Sequence, residues 1–166
     1  MKQVILDSHI LIWGIKEQAE NGQEAMIERT QQFFEECKKG RTQMLVPSVV
    51  VGELLTAVDV KYHPMTLNLL QGAFLIPSYD AASSAIFARL WREKQESGEV
   101  AKIRDELQAT RQELKADCMI VATAIAQKAD AIFSHDAKLK AFANGQIKVL
   151  EVPRLQTQQR LGLEER

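Results

Sequence analysis

KADCMIVATAIAQKADAIFSHDAKLKAF, Lys115 to Phe142, holds an acid, a helical run, a short apolar strand and a second acid in one stretch. Asp117 opens an alanine-rich run in which Ile120, Val121, Ala124 and Ile125 fall at helical spacing. Asp130-Ala131-Ile132-Phe133 reads as a buried strand, and Ser134-His135-Asp136 leads into another helix. Helix, strand and helix in that order make half of a parallel α/β unit. Ligands of open parallel sheets bind beyond the carboxyl ends of the strands, so Asp136 stands where chemistry is expected.

Working outward, the same alternation recurs. Gln3 to Leu6 is a short apolar strand that stops at Asp7-Ser8, and Ile10, Leu11, Ile12, Trp13 and Ile15 follow as an apolar turn or helix. Between Gln23 and Lys38, Met26, Ile27, Phe33, Phe34 and Cys37 recur with loosely helical spacing, and Gly40 is a natural stop. Gln43 to Val46 is a second strand, after which Ser48 is expected to cap a helix through Val49, Val50, Val51, Leu54, Leu55 and Val58. Pro64 is expected to begin a helix through Leu70, and Ala73 to Ile76 to form a third strand ended by Pro77. Asp80 is expected to cap the next helix, and Ile147 to Val149 to be the last strand. Strands alternating with helices imply a three-layer α/β/α sandwich with a central parallel sheet.

Residues 93–116 interrupt this pattern. Charges of both signs crowd the segment, and Val100, Ile103, Leu107 and Leu114 form a thin apolar stripe near heptad spacing. It reads as a charged helical insertion, a helix or a hairpin turning at Ser97-Gly98, that projects as an arm; a solvated helix laid along the body is the alternative. The organisation expected is one domain over residues 1–153 that includes this insertion, and a polar tail over 154–166.

At 166 residues, 46% hydrophobic and 26% charged, the chain suits one well-buried domain and not a disordered or fibrous protein. A formal net charge of -1 means that any grip on nucleic acid must come from a local patch or a bound metal. Cys37 and Cys118 have no metal-type spacing and suggest no disulfide framework, which fits a reducing, cytoplasmic setting. No signal peptide is visible and no apolar run is long enough to span a bilayer, so no membrane partner is expected.

Asp7 and Asp136 each follow an apolar strand, so a parallel sheet places both along one carboxyl edge. Either could be a plain helix N-cap, worth about 1 kcal/mol. Glu53 shares a helical face with Val49, Val50 and Ala57; if that stripe faces the core, its carboxylate needs a cation, a hydrogen-bond network or a metal. Asp117 repeats the pattern with Ile120, Val121 and Ala124, or could itself serve as a cap. One hypothesis replaces four separate explanations: the acids converge and bind hard divalent cations. Oxygen donors without a His or Cys set favour Mg²⁺ or Mn²⁺ over Zn²⁺. Such ions activate water and clamp the oxygens of a phosphodiester, which is nuclease chemistry.

In these motifs the chain resembles the PIN-domain ribonucleases, and among them the VapC-type toxins of bacterial toxin–antitoxin pairs. Asp7-Ser8-His9-Ile10-Leu11 looks like their N-terminal Asp-(Ser/Thr) motif, and Pro47 to Leu54 like the second, with its helical Glu53. Asp117 to Ala124 resembles the third, and Ser134-His135-Asp136 followed by Phe142 the fourth. The resemblance implies that Asp7, Glu53, Asp117 and Asp136 are catalytic and coordinate Mg²⁺ or Mn²⁺, with Ser8 and Ser134 supporting them through hydroxyl hydrogen bonds. It also implies an RNA substrate, single-stranded or looped, an antitoxin protein as partner, and pairing as a homodimer. His9, His135 and Lys115 are candidate substrate contacts, although a hydrogen-bonded structural role is the plainer reading of each His. Asp59, Asp80, Asp105 and Asp130 match no strand exit and are expected to be dispensable. The rival functions are a nuclease for structured DNA and a non-catalytic RNA-binding or interaction module. A haloacid-dehalogenase-like phosphatase needs a second Asp where His9 stands, which counts against it.

Overall fold

Four short parallel strands form the centre of the chain, whose structure, a computed structural model, is described for residues 1–154. They are β1 (Gln3–Leu6), β2 (Gln43–Leu45), β3 (Ala131–Phe133) and β4 (Val149–Leu150), in the order β2-β1-β3-β4. Ile5 lies opposite Leu45 on one side and Ile132 on the other, and Phe133 lies between Leu6 and Leu150. Every residue from Val4 to Leu6 and from Ala131 to Phe133 is at most 2% exposed, as an inner parallel strand covered on both faces must be.

The helices are α1 (Ser8–Gly14), α2 (Ala25–Lys39), α3 (Ser48–Thr56), α4 (His63–Ala73), α5 (Ala81–Glu96), α6 (Glu99–Leu107), α7 (Arg111–Ala126) and α8 (Ala137–Ala143), with a 3-10 turn at Val60–Tyr62. From β1 the chain steps outward to β2, then back across the sheet to β3 and β4. Right-handed crossovers therefore put α1 and α2 on one face and α7 and α8 on the other, which gives the expected three layers. In α2, Met26, Thr30, Phe33, Phe34 and Cys37 face inward, and Phe33 meets Phe133 at a ring separation of 4.3 Å. The tail expected over 154–166 lies, past Arg154, outside the described residues.

Several local expectations are corrected. The helix read as opening at Asp117 begins six residues earlier, at Arg111, because Thr110 and Glu113 form a reciprocal capping box. Ser48 is not a side-chain cap; Pro47 holds the N-cap position and the Ser48 hydroxyl accepts from the Tyr79 N–H at 3.0 Å. Ala73 to Ile76 is not a full strand. Here α4 runs on to Ala73, only Leu75 bridges to Leu45, and Pro77 lacks the N–H to extend the ladder.

The segment 93–116 is helical and does turn at Ser97-Gly98, where Gly98 takes φ +79°. It does not project. It comprises the end of α5, all of α6 and the start of α7, and α6 packs against α5, α7 and α8. Val100 and Ile103 are buried to 7% and 6% exposure and Leu114 completely, so the thin stripe suffices to lay the helix on the body. The turn is pinned by an ion pair between the buried Lys94 and the half-exposed Glu99.

Candidate active site

Because Leu6 pairs with Phe133, the next residues, Asp7 and Ser134, leave the sheet side by side. The Ser134 hydroxyl donates to Asp7 Oδ2 at 2.6 Å and accepts from the Asp136 N–H at 3.0 Å. The other Asp7 oxygen accepts from the Ser8 N–H at 2.7 Å, with the Ser8 hydroxyl at 3.4 Å. Asp136 in turn accepts from the Lys138 N–H at 2.7 Å. Both acids are therefore helix N-caps, of α1 and α8, and both also belong to one hydrogen-bonded group at the strand edge. Being a cap and standing in a site are compatible, since the cap uses one carboxylate oxygen.

Asp117 comes from α7, deep in its apolar run, and is 9% exposed. Its Oδ2 is buried without a hydrogen-bond partner. Burial, reinforced by the negative charges of Asp136, Asp7 and Glu53, pushes its pKa up to about 8, with Lys138 opposing. Glu53 departs from expectation: its side chain is exposed, because Val50, Val51 and Leu54 are the residues that α3 turns to the core. Its carboxyl still loses hydration, which together with Asp7 and Asp136 raises its pKa, while His9 lowers it. Charges from four separate elements thus act on one another, and the mutual repulsion favours a cation among them. As the side chains stand, no three His, Cys, Asp or Glu among the described residues are grouped closely enough to hold an ion. The donor set suits a hard cation in that all the converging groups are carboxylates, and the buried, unpartnered Asp117 oxygen is the atom that most needs one.

The flanking candidates divide. His135 accepts from the Val152 N–H at 3.0 Å through Nε2, packs edge-on against Trp13 at 5.1 Å, and has a pKa lowered by burial. His9 is exposed, its ring 5.9 Å from that of Trp13, and with Trp13 and His135 it lines an open cleft of about 420 Å³ between α1 and the start of α2. Lys115 lies over the ring of Trp91, 5.8 Å from its centroid, on the opposite side of α7 from Asp117. Sequence reasoning missed Lys138, whose ammonium binds Glu113 at 2.5 Å and whose pKa is raised by Glu113 and then by Asp136 and Asp117. The capping box that places Glu113 was readable as Thr110-Arg111-Gln112-Glu113, but its meeting with Lys138 was not. Asp130, which precedes β3, sits at the other edge, where it accepts from the Gln3 N–H at 3.1 Å.

Fold and site together define a parallel α/β/α domain with a carboxylate group where its two central strands end. The chain belongs to the PIN domain family, whose sequence pattern matches residues 4–145. No curated protein sequence matches it. Among solved structures it is similar to VapBC2 from Rickettsia felis bound to a DNA fragment from their promoter, with a TM-score of 0.63 and 16% identity over 90% of this chain and 98% of that one. It is also similar to DNA-bound VapBC from Salmonella typhimurium, with a TM-score of 0.61 and 16% identity over 92% and 100% of the two chains. Among the described residues, no helix is long and apolar enough to cross a membrane.

Proposed function

We propose that this chain is an endoribonuclease that uses Mg²⁺ or Mn²⁺ to hydrolyse phosphodiester bonds of single-stranded or looped RNA, as the toxin of a toxin–antitoxin pair. The observation that carries the reading is Asp117: a buried carboxyl with an unpartnered oxygen, set in the field of Asp7, Asp136 and Glu53. An apolar helix gains nothing from such a group unless a cation offsets it.

Asp7, Asp117, Asp136 and Glu53 would hold the ion. When bound, it would supply an activated water and neutralise charge on the phosphate oxygens. The chain's own residues do the rest. Ser134 and Ser8 fix Asp7 with both oxygens engaged, so the carboxylate is oriented before substrate arrives. Ser134 ties Asp136 to the same frame through its N–H. Glu53, exposed on the rim, is the acid free to swing toward an entering ion or strand.

Support for the partner comes from the likeness to the two VapBC structures; we assign this chain an antitoxin that covers the acid group, a homodimeric state and a cytoplasmic setting. The test is cleavage of matched, end-labelled RNA and DNA oligonucleotides by purified protein with Mg²⁺, Mn²⁺ or chelator. RNA cleavage that needs the metal and is lost in Asp7→Asn and Asp117→Asn is expected. No cleavage, or cleavage undiminished in both variants, would sink the reading, and preference for DNA would replace the substrate.

A further inference from the structure

Two features of the fold hold Lys138 beside the acid group. Its backbone N–H is bound by Asp136 Oδ1 at 2.7 Å, and its ammonium by Glu113 Oε1 at 2.5 Å. Glu113 is itself immobilised, since its other oxygen accepts from the Thr110 N–H at 2.7 Å in the capping box of α7. Glu113 and Asp117 are four residues apart and so share one face of α7, a turn from each other. The Lys138 stem therefore spans from Asp136 on α8 to the face of α7 that carries Asp117. Its side chain is 28% exposed, so the head group is open to an incoming ligand. An ammonium has three donors, and Glu113 takes one.

A phosphodiester entering a group of carboxylates brings anionic oxygens to a negative site, and the oxygens that face away from the acids need a cation of their own. A lysine meets that need as a point charge. We infer that Lys138, aimed by Glu113, is a phosphate contact for the RNA strand at the acid group. This rests on the ribonuclease reading above. The alternative is that Lys138 only screens the acids from one another, and the two roles differ in what they change.

The experiment compares wild type with Lys138→Met, Lys138→Arg and Lys140→Met, the last removing the same charge from an exposed position of α8. Cleavage of a single-stranded RNA with Mn²⁺ gives KM and kcat, and fluorescence anisotropy of the same RNA with Ca²⁺ in place of Mn²⁺ gives binding against salt. Lys138→Met is expected to raise KM about tenfold with kcat within about twofold, Lys138→Arg to restore most of it, and Lys140→Met to change neither. The salt slope of binding should fall by about 0.7 in Lys138→Met, one phosphate contact on a single strand. An unchanged KM and slope, with only the Mn²⁺ dependence altered, would overturn the inference in favour of screening. If wild type cuts no RNA, it is the ribonuclease reading that fails; the anisotropy still decides Lys138, supporting it if the slope falls in Lys138→Met and overturning it if the slope is unchanged.

Discussion

Asp117 is held as a neutral acid by its surroundings, and that state has a measurable consequence. Its pKa of about 8 in the fold stands above the ordinary carboxylate value of 3.8. The folded chain therefore binds the proton more tightly than the unfolded one, and stability falls as pH rises between those values. Asp117→Asn removes the ionisation. Relative to wild type without divalent metal, it is expected to be stabilised by about 1–3 kcal/mol at pH 8.5 and little changed near pH 4. Denaturant unfolding at both pH values checks this, and a wild type whose stability does not decline across the window would contradict it. Ser134→Ala acts differently, because it takes the hydroxyl from Asp7 and the acceptor from the Asp136 N–H at once. A ten- to hundredfold loss of RNA cleavage is expected, of the order seen when an outer-shell partner of a metal ligand is removed. Asp130→Asn, at the other end of the sheet, should leave cleavage unchanged in the same assay. That Asp7 and Asp136 were candidates could be read from their places after apolar strands. That Asp117 is the most perturbed acid could not, since burial of a single carboxyl depends on every helix packed around it.

At the scale of elements, α1 and α2 approach so closely that only glycine fits at their contact. A Cβ at Gly14 would lie 2.7 Å from Phe34 Cζ and 2.8 Å from Thr30 Cγ2, both in the interior. Gly14→Ala must displace a buried phenyl ring and is expected to cost about 1–3 kcal/mol, as overpacking does. Thermal unfolding would show it, and a variant as stable as wild type would mean that the two helices can separate without cost. Since Asp7 caps α1, the displacement should also weaken cleavage. The residues 93–116 teach the converse lesson. Their charge density suggested an arm, yet Val100, Ile103 and Leu114 are enough to fold α6 onto the body, and Glu93, Glu96, Lys102 and Glu106 form exposed pairs, Arg89–Glu93, Arg92–Glu96 and Lys102–Glu106, on the solvated helix surface. A stripe of apolar residues tells that a helix has an inner face, but not which surface receives it.

For the whole molecule, the proposed function makes the fold responsive to metal. On the proposed reading, acids that repel one another at the ends of α1, α3, α7 and α8 would be drawn together by an ion that binds the folded state only, so Mg²⁺ or Mn²⁺ should raise the melting temperature of wild type. At a hundredfold excess over Kd the gain is about 2.7 kcal/mol. Asp7→Asn and Asp117→Asn should lose most of that gain, and a wild type indifferent to both ions would count against the site. The parallel α/β/α architecture, the strand-edge positions of Asp7 and Asp136 and the family were all determined by the order of amino acids, because hydrophobic period and strand ends are properties of short stretches. The tertiary structure alone decided that Glu53 lies on the rim instead of in the core, that Lys115 covers Trp91, and that Lys138 meets Glu113. Those outcomes depend on which faces of distant helices are pressed together, and no local pattern in the chain encodes that.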